Sequence, residues 1–221
     1  MRLYNFLKQE FNLTKSEEKE FFKNHDIKIN DKPAKEMSII DSTSNIFIDG
    51  KLYKYIENKS IYIAFNKPIG IECTNDIKKE NNIISFINYK ERIFPIGRLD
   101  KDSHGLIILT NDFNAPNEFL NKDNHVEKEY IVKTKEIIDL EFVDKMSKPI
   151  LLNNKYTKPC VTKLIDEHTF NIILKEGMYR QIRRMAKSLN KTVIDLKRIR
   201  FGNLYLDIDE GKYREINKDN I

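Results

Sequence analysis

Two apolar runs along the chain are each bounded by proline, glycine or charged residues. Residues 106–109 follow a glycine, and this pattern predicts a buried strand entered through a turn. Residues 61–65 predict a second strand, which runs into a loop at 66–70 constrained by a proline and a glycine. Lys67 on this loop is either a phosphate contact or an ordinary loop lysine.

Weaker patterns predict the other elements of the same region. Within 127–133, charge alternates with apolar residues from Tyr130 on, which predicts a half-buried strand. Further strands are expected at 157–165 and 169–174, and short helices at 82–89, at 113–120 beginning beyond Pro116, and at 137–146. From Asp207 onward we expect a strand end followed by a polar tail.

A basic helix is predicted after Gly177. The apolar residues that recur at helical spacing and predict the face toward the core are Met178, Ile182, Met185 and Leu189. Arg180, Arg184 and Lys187 fall on a different face. Arg183 lies between the two faces, so it could reach inward as a partner for a carboxylate, because a buried arginine is rare unless it is paired.

Residues 1–52 predict a small separate unit, and 53–60 a polar linker. Two short helices come first, the second capped by Thr14 or Ser16. A strand, a turn and a second short strand follow at 27–34, and a strand at 46–48 ends at Asp49-Gly50, a hairpin signal. Alternatively, this unit is an α/β appendage that binds no ligand.

Composition excludes several classes of protein. Of 221 residues, 40% are hydrophobic and 33% charged, which fits a globular chain with a substantial core. No apolar segment is long enough for a transmembrane helix, and the N-terminus lacks a signal-peptide pattern. Two cysteines, Cys73 and Cys160, without a CxxC motif argue against a disulfide framework and structural zinc. We therefore expect a cytoplasmic protein without a metal or redox cofactor.

Positive charge is concentrated in one segment. The net charge is +5, and residues 175–200 hold nine cations against two anions. Such a concentration indicates a partner with a phosphate backbone, although a solvated basic helix is the alternative. Residues 1–52 hold nine cations and nine anions, so they would position a nucleic acid more than attract it.

The loop before the apolar run at 106–109 carries candidate chemistry. Asp100 stands between Arg98 and Lys101, whose charges favour the ionised carboxylate. A carboxylate at the end of a buried strand is a candidate nucleophile, and a turn aspartate is the alternative. Tyr130 is either a packing residue or a stacking platform for a base, with a hydroxyl that can exchange a proton.

Three stretches together resemble a known family. They are GRLDKDSHGLIILTND at 97–112, KEY at 128–130 and KEGMYRQIRRMAKSLNKTVIDLKRIRFGNLYL at 175–206. In this order they are similar to the RsuA/RluB/RluE/RluF family of pseudouridine synthases, and FPIGRLDKDS and HVEKEY look closest to its RluF branch. The KPIG at 67–70 fits the same family. The unit at 1–52, with IKIND and IFIDG, resembles the S4 RNA-binding domain.

The resemblance implies an α+β fold. A small S4-like α/β RNA-binding domain at 1–52 and the linker at 53–60 would precede a catalytic domain at 61–221, with a mostly antiparallel mixed sheet flanked by helices. It also implies site-specific isomerisation of uridine to pseudouridine in ribosomal RNA, 23S rRNA above others, by a monomer without cofactors. The alternatives are 16S rRNA or a tRNA anticodon stem-loop as substrate, or a non-catalytic RNA-binding or ribosome-assembly factor.

The resemblance also assigns residue roles. Asp100 would be the nucleophile, Tyr130 the aromatic that stacks on the target uracil, and Arg183 the partner of the catalytic aspartate. Ile182 would pack beneath the tyrosine, and Arg98 would help to displace the target base from its stack. The other expected RNA contacts are Lys67, Arg180, Gln181 and Arg184.

Overall fold

The computed structural model describes residues 1–11, 13–56, 60–121, 124 and 126–221. The chain divides into two compact units, Met1–Ser60 and Ile61–Ile221. Residues 57–59 of the expected linker, and His125 of the HVEKEY motif, lie outside the described residues.

The first unit is a four-stranded antiparallel sheet with two helices. Its elements are α1 (Leu3–Glu10), α2 (Lys15–Asn24), β1 (Ile27–Ile29), β2 (Lys32–Pro33), β3 (Asn45–Ile48) and β4 (Lys51–Lys54), with sheet order β2-β1-β3-β4. Thr14 caps α2 in a capping box with Glu17. Asn30 and Asp31 both have positive φ, which lets a two-residue loop join β1 to β2.

The second unit holds the remaining elements. The strands are β5 (Tyr62–Lys67), β6 (Phe94–Ile96), β7 (His104–Thr110), β8 (Lys128–Thr134), β9 (Leu151–Leu152), β10 (Lys155–Tyr156), β11 (Val161–Asp166), β12 (Thr169–Leu174), β13 (Val193–Phe201), β14 (Leu204–Tyr205) and β15 (Tyr213–Ile216). The helices are α3 (Ile83–Ile87), α4 (Ala115–Leu120), α5 (Leu140–Ser147) and α6 (Gln181–Ser188), with a final 3-10 turn at Lys218–Asn220.

The main sheet is mixed and mostly antiparallel, as predicted. Among the described residues it has nine strands, in the order β11-β12-β8-β13-β7-β5-β15, with β14 beside β13 and β6 beside β7. The pairing of β13 with β7 is parallel. Gly105 permits this pairing, because a Cβ at its position would lie 2.2 Å from the Arg198 carbonyl oxygen.

Strand β7 is buried on both faces, which explains its uninterrupted apolar sequence. Leu106 and Ile108 pack into a core with α4, whereas Ile107 and Leu109 pack into a core with α3. A third core joins β8 and β12 to α5 and α6. The buried strand expected at 106–109 is therefore confirmed.

Several expected boundaries differ from the structure. Helix α5 begins at Leu140 rather than Ile137, because Asp139 accepts a hydrogen bond from the Phe142 amide and caps the helix there. Helix α4 includes Pro116 in its first turn, a position that needs no amide donor. The segment from Asp207 is more than a tail, since it forms β15 at the sheet edge, paired with β5.

Among the described residues, the structure has no helix that is long and apolar enough to cross a membrane.

Candidate active site

A cleft of about 800 Å³ opens in the second unit between the loop after β6, strands β8 and β13, and the start of α6. The lining residues that sequence analysis singled out are Arg98, Asp100, Tyr130, Arg180, Gln181 and Ile182. The volume lies within the range of ordinary ligand pockets. The three motifs at 97–112, 128–130 and 175–206 therefore meet at one site, although they are distant in sequence.

Buried neighbours position the loop that carries Asp100. Leu99 is buried in the core beside α3, and its backbone amide faces the Cys73 Sγ at 3.4 Å. The Ser103 amide donates to the Asp100 carbonyl at 3.0 Å, which closes a turn. Arg98 is exposed at the rim of the cleft. The carboxylate of Asp100 thus projects into the cleft from a loop anchored on both sides.

The cation nearest to Asp100 among the described residues is Arg180. Its guanidinium lies 3.8 Å from Asp100 Oδ2, and the Asp100 side chain is 27% exposed. Lys101, expected to flank Asp100, forms its ion pair with Glu72 instead. The countercharge for Asp100 comes from the start of α6 and not from its neighbours in sequence.

Asp102 forms ion pairs with two arginines. Arg180 donates to both of its carboxylate oxygens, at 3.0 and 2.7 Å, and Arg183 Nε lies 3.4 Å from Oδ2. Hydrogen bonding from Arg180 holds the pKa of Asp102 below its usual range. Sequence analysis missed Asp102, although it lies in the same charged run as Asp100.

Arg183 occupies a different place from the one expected. Its guanidinium donates to the backbone carbonyls of Asp102 and Val193, at 2.8 and 2.9 Å, and to Ser103 Oγ at 3.2 Å. It reaches inward from the helix, as its intermediate position predicted. It forms no ion pair with Asp100 in the described structure, so the expected pair with the catalytic aspartate is replaced by a tie to the loop that follows it.

Tyr130 and Ile182 belong to the same part of the core. Tyr130 packs against two hydrophobic cores, one of which contains the buried Ile182. Both side chains line the cleft. On the sheet, Tyr130 pairs with Ile172 of β12 and Arg198 of β13. The ring therefore stands on a rigid central strand, where it can serve as a platform for a flat base.

Two of the expected RNA contacts are internal. Lys67 is 0% exposed and donates to the carbonyls of Pro68 and Ile71, at 2.9 and 2.7 Å. It is therefore unavailable to an RNA phosphate, and it shapes its own loop instead. Gln181 is also buried, and its amide bonds to Glu176 and to the Met178 backbone. Arg184 is partly exposed and bonds to the Tyr179 carbonyl at 3.3 Å.

Sequence analysis also missed Lys128 and Arg198, two buried cations that line the cleft. The signal for Lys128 was its position two residues before Tyr130, since alternate residues of a strand share a face. Within the described part of the chain, no cluster of three or more His, Cys, Asp or Glu side chains could hold a metal ion.

Comparison with known proteins agrees with this site. Residues 61–188 match the model of the RNA pseudouridylate synthase family. Over its whole length the chain is 35% identical to the dual-specificity RNA pseudouridine synthase RluF of Salmonella typhi and 34% identical to that of Escherichia coli (strain K12), and it spans 77% of each. It is also 30% identical, over its whole length, to the ribosomal small subunit pseudouridine synthase A of Haemophilus influenzae, of which it spans 98%.

A solved structure gives the same result. The crystal structure of a pseudouridylate synthase superposes with a TM-score of 0.71 at 29% identity, covering 99% of this chain and 97% of that one. The chain belongs to the RNA pseudouridylate synthase family. The family expected from the three motifs is thereby confirmed, and with it an enzyme that converts uridine to pseudouridine in RNA.

Proposed function

We propose that this enzyme isomerises a specific uridine of ribosomal RNA, with 23S rRNA as the substrate and Asp100 as the carboxylate that begins the reaction. The observation that carries the proposal is the position of Asp100 in the cleft, beside the Arg180 guanidinium and in the same cleft as Tyr130. The choice of 23S rRNA rests on the resemblance of FPIGRLDKDS and HVEKEY to the RluF branch.

The reaction explains the residue types in the cleft. The bond between C1′ and N1 of uridine must break, the uracil must turn, and C5 must bond to C1′. Asp100 attacks C1′, adds to C6 of the ring, or removes a proton from C2′, and each route needs an ionised carboxylate. Tyr130 retains the detached base by stacking. Because the target must leave any stack to reach the cleft, unpaired loops of RNA are the cheapest sites to modify.

A second candidate substrate is 16S rRNA. The relative from Haemophilus influenzae is named for the small ribosomal subunit, and the chain matches it over nearly the full length of both proteins. The RluF relatives are named as dual-specificity enzymes, which favours a second RNA, such as a tRNA anticodon stem-loop.

The first unit is proposed to position the RNA. Its two helices and short antiparallel strands support an S4-like domain at 1–52. Equal numbers of cations and anions in this segment favour orientation of the RNA over electrostatic attraction. We propose that the enzyme acts as a monomer in the cytoplasm, on ribosomal RNA or on a pre-ribosomal particle.

The test replaces Asp100 with its neutral isostere. Purified wild type, Asp100→Asn and the control Asp144→Asn, on the surface of α5, are incubated with transcripts of 23S and 16S rRNA, and pseudouridine is mapped in the products. Wild type and Asp144→Asn should form pseudouridine at one position of 23S rRNA. Asp100→Asn should form none while unfolding at the same temperature. Full activity of Asp100→Asn would exclude Asp100 as the reactive group, and modification of 16S rRNA alone would overturn the choice of substrate.

A further inference from the structure

Lys128 and Arg198 are buried cations in the same cleft as Asp100. Lys128 on β8 is 9% exposed and Arg198 on β13 is 2% exposed, and both line the cleft. Lys128 shares a face of β8 with Tyr130, two residues further on. Arg198 is the direct cross-strand partner of Tyr130. The two positive charges are therefore placed around the residue expected to hold the base.

A β-bulge brings the two cations to one face. The register shifts between Arg198 and Arg200, so that Arg198 pairs with Tyr130 and Phe201 pairs with Lys128. Lys128 Nζ lies 5.5 Å from the centre of the Phe201 ring, and the Arg198 guanidinium lies 5.3 Å from it. Cations at these distances over an aromatic face are attracted to it. Phe201 thus supports both charges without neutralising either.

Neither cation has an anionic partner within the described residues. Lys128 Nζ donates to the Val126 carbonyl at 2.8 Å, and Arg198 Nε donates to the Leu106 carbonyl at 2.6 Å. The second terminal nitrogen of Arg198 is buried and has no hydrogen-bond partner. Arg200, by contrast, pairs with both Glu127 and Glu129 on the opposite face.

Two unpaired cations in one buried pocket cost free energy. A buried charge without a partner destabilises a fold, and an unsatisfied N–H adds its own desolvation penalty. Burial first, and the nearby charge of Arg198 second, together lower the pKa of Lys128 to about 8. At neutral pH Lys128 therefore still carries its charge in most molecules. Such an arrangement indicates an anion that is present only when substrate is bound or is reacting.

The position of the pair identifies the anion. Backbone phosphates of RNA lie outside the stacked base, where exposed cations such as Arg98, rather than buried ones, are accessible to them. The buried side of the cleft beside Tyr130, where Lys128 and Arg198 lie, is instead where the base would be held. When the C1′–N1 bond breaks heterolytically, its electron pair remains on the uracil, and the negative charge spreads from N1 to O2 and O4. Preformed donors in a site of low dielectric stabilise such developing charge strongly.

We propose that Lys128 and Arg198 form the binding site for the uracilate anion, the detached base in the reaction. This inference rests on the proposed function, since it assigns two further catalytic residues to the same cleft. The ribose is held meanwhile by a covalent bond to Asp100, or has lost its C2′ proton to that carboxylate. After the ring turns, C5 bonds to C1′ as the bond from C1′ to Asp100 breaks, or as the C2′ proton returns from Asp100. The C5 proton is then lost and N1 gains a proton, so that the product is an isomer of the substrate and Asp100 is again a free carboxylate.

The test varies the stability of the anion. Transcripts of 23S and 16S rRNA are made with uridine or with 5-fluorouridine, whose fluorine withdraws electrons and stabilises the uracilate by itself. Cleavage of the C1′–N1 bond is followed in single turnovers as loss of the original nucleoside after digestion. The variants are Lys128→Met, Lys128→Arg, which keeps the charge, and Lys133→Met, which removes an exposed lysine from the same strand.

Lys128→Met should slow cleavage of uridine about 100-fold, the usual loss for one donor of this kind, and cleavage of 5-fluorouridine by a clearly smaller factor. Lys128→Arg should retain most of the rate, and Lys133→Met all of it. Equal losses on both transcripts, or Lys128→Arg as slow as Lys128→Met, would show that Lys128 acts only through packing. If the wild type modifies neither transcript, the proposed function itself is overturned.

Discussion

At the scale of single residues, some charged side chains of this enzyme have an oppositely charged partner and others have none among the described residues. Arg200 is neutralised by two glutamates, and Asp102 by two arginines. Lys128 and Arg198 have no such partners among the described residues. Pairing stabilises buried charge, whereas its absence leaves a site ready to bind charge. The cleft is therefore expected to cost the protein stability.

Lys128→Met should stabilise the protein at neutral pH. The ordinary lysine pKa is well above 8, so the unfolded chain holds the proton more tightly than the folded chain. The free-energy cost of burying the charged ammonium group is therefore largest below about pH 8, and it disappears as the pH rises towards the ordinary lysine pKa. In urea unfolding, the free energy of unfolding of the variant should exceed that of the wild type by about 2 kcal/mol at pH 7. The difference should be small at pH 10.

The charged group acting on Lys128 from the neighbouring strand is Arg198, and Phe201 faces it without charge. The acids lining the same cleft are Glu72, Asp100 and Glu176, and none forms an ion pair with Lys128. Lys133→Met, on the exposed side of β8, should show no pH-dependent difference from the wild type. A less stable Lys128→Met at pH 7 would contradict the unpaired state of the ammonium group.

At the scale of secondary structure, the start of α6 determines the geometry around Asp100. Arg180 has a left-handed backbone conformation, with φ 48° and ψ 38°, directly before the helix. This conformation is unfavourable for a residue with a Cβ. It ends the loop from Gly177 and places the guanidinium beside Asp100 and Asp102. A helix that began at Met178, as its periodicity suggested, would not contain this turn.

Arg180→Ala and Arg180→Gly separate the backbone from the side chain. Both remove the cation beside Asp100 and release Asp102, so both should lose about 100-fold in isomerisation rate through misplaced groups. Arg180→Gly should be more stable than Arg180→Ala by about 1 kcal/mol, because glycine adopts the left-handed conformation without strain. Single-turnover rates and urea unfolding measure the two effects. A fully active Arg180→Ala would show that Arg180 is only a structural residue.

At the scale of the whole molecule, the positive charge of 175–200 is divided between interior and surface. Arg183, Arg198 and Arg200 bond to other parts of the protein, whereas Lys187 is exposed. Lys175 is also exposed, and it pairs with Glu127 at 3.5 Å. Only part of the positive charge concentrated in this segment is therefore available at the surface. Its remaining exposed cations are the candidates for phosphate contacts.

Removing two cations of α6, the partly exposed Arg184 and the exposed Lys187, should weaken RNA binding in a salt-dependent way. Arg184→Gln with Lys187→Gln should lower affinity for the 23S transcript and reduce the slope of log affinity against log salt by about 1.4, from two lost contacts to single-stranded RNA. The control, Lys145→Gln in α5 with Lys148→Gln directly after the helix, changes the net charge equally at lysines that pair with Glu141 and Asp144. Filter binding at several salt concentrations measures both. Equal slopes for the two double variants would exclude α6 as an RNA contact.

The sequence by itself determined the local features of this protein. The buried strand at 106–109 and the order of helices and strands in the first unit follow from short patterns, because periodicity records which face of an element is buried. The roles of Asp100 and Tyr130 stay predictions from the motifs. The family, recognised from three motifs, was confirmed by comparison. These features depend on neighbours close in the chain.

Only the tertiary structure decided which charges meet. Lys67 and Gln181 were expected to contact RNA, but the fold buries both side chains. Lys67 donates to the Ile71 backbone carbonyl, and Gln181 donates to the Glu176 carboxylate. Arg180 rather than Arg183 lies nearest to Asp100, because a left-handed residue before α6 turns the chain. A one-residue bulge in β13 selects Arg198 for the cleft and Arg200 for the opposite face. Pairing between distant strands sets these outcomes, and no local pattern encodes it.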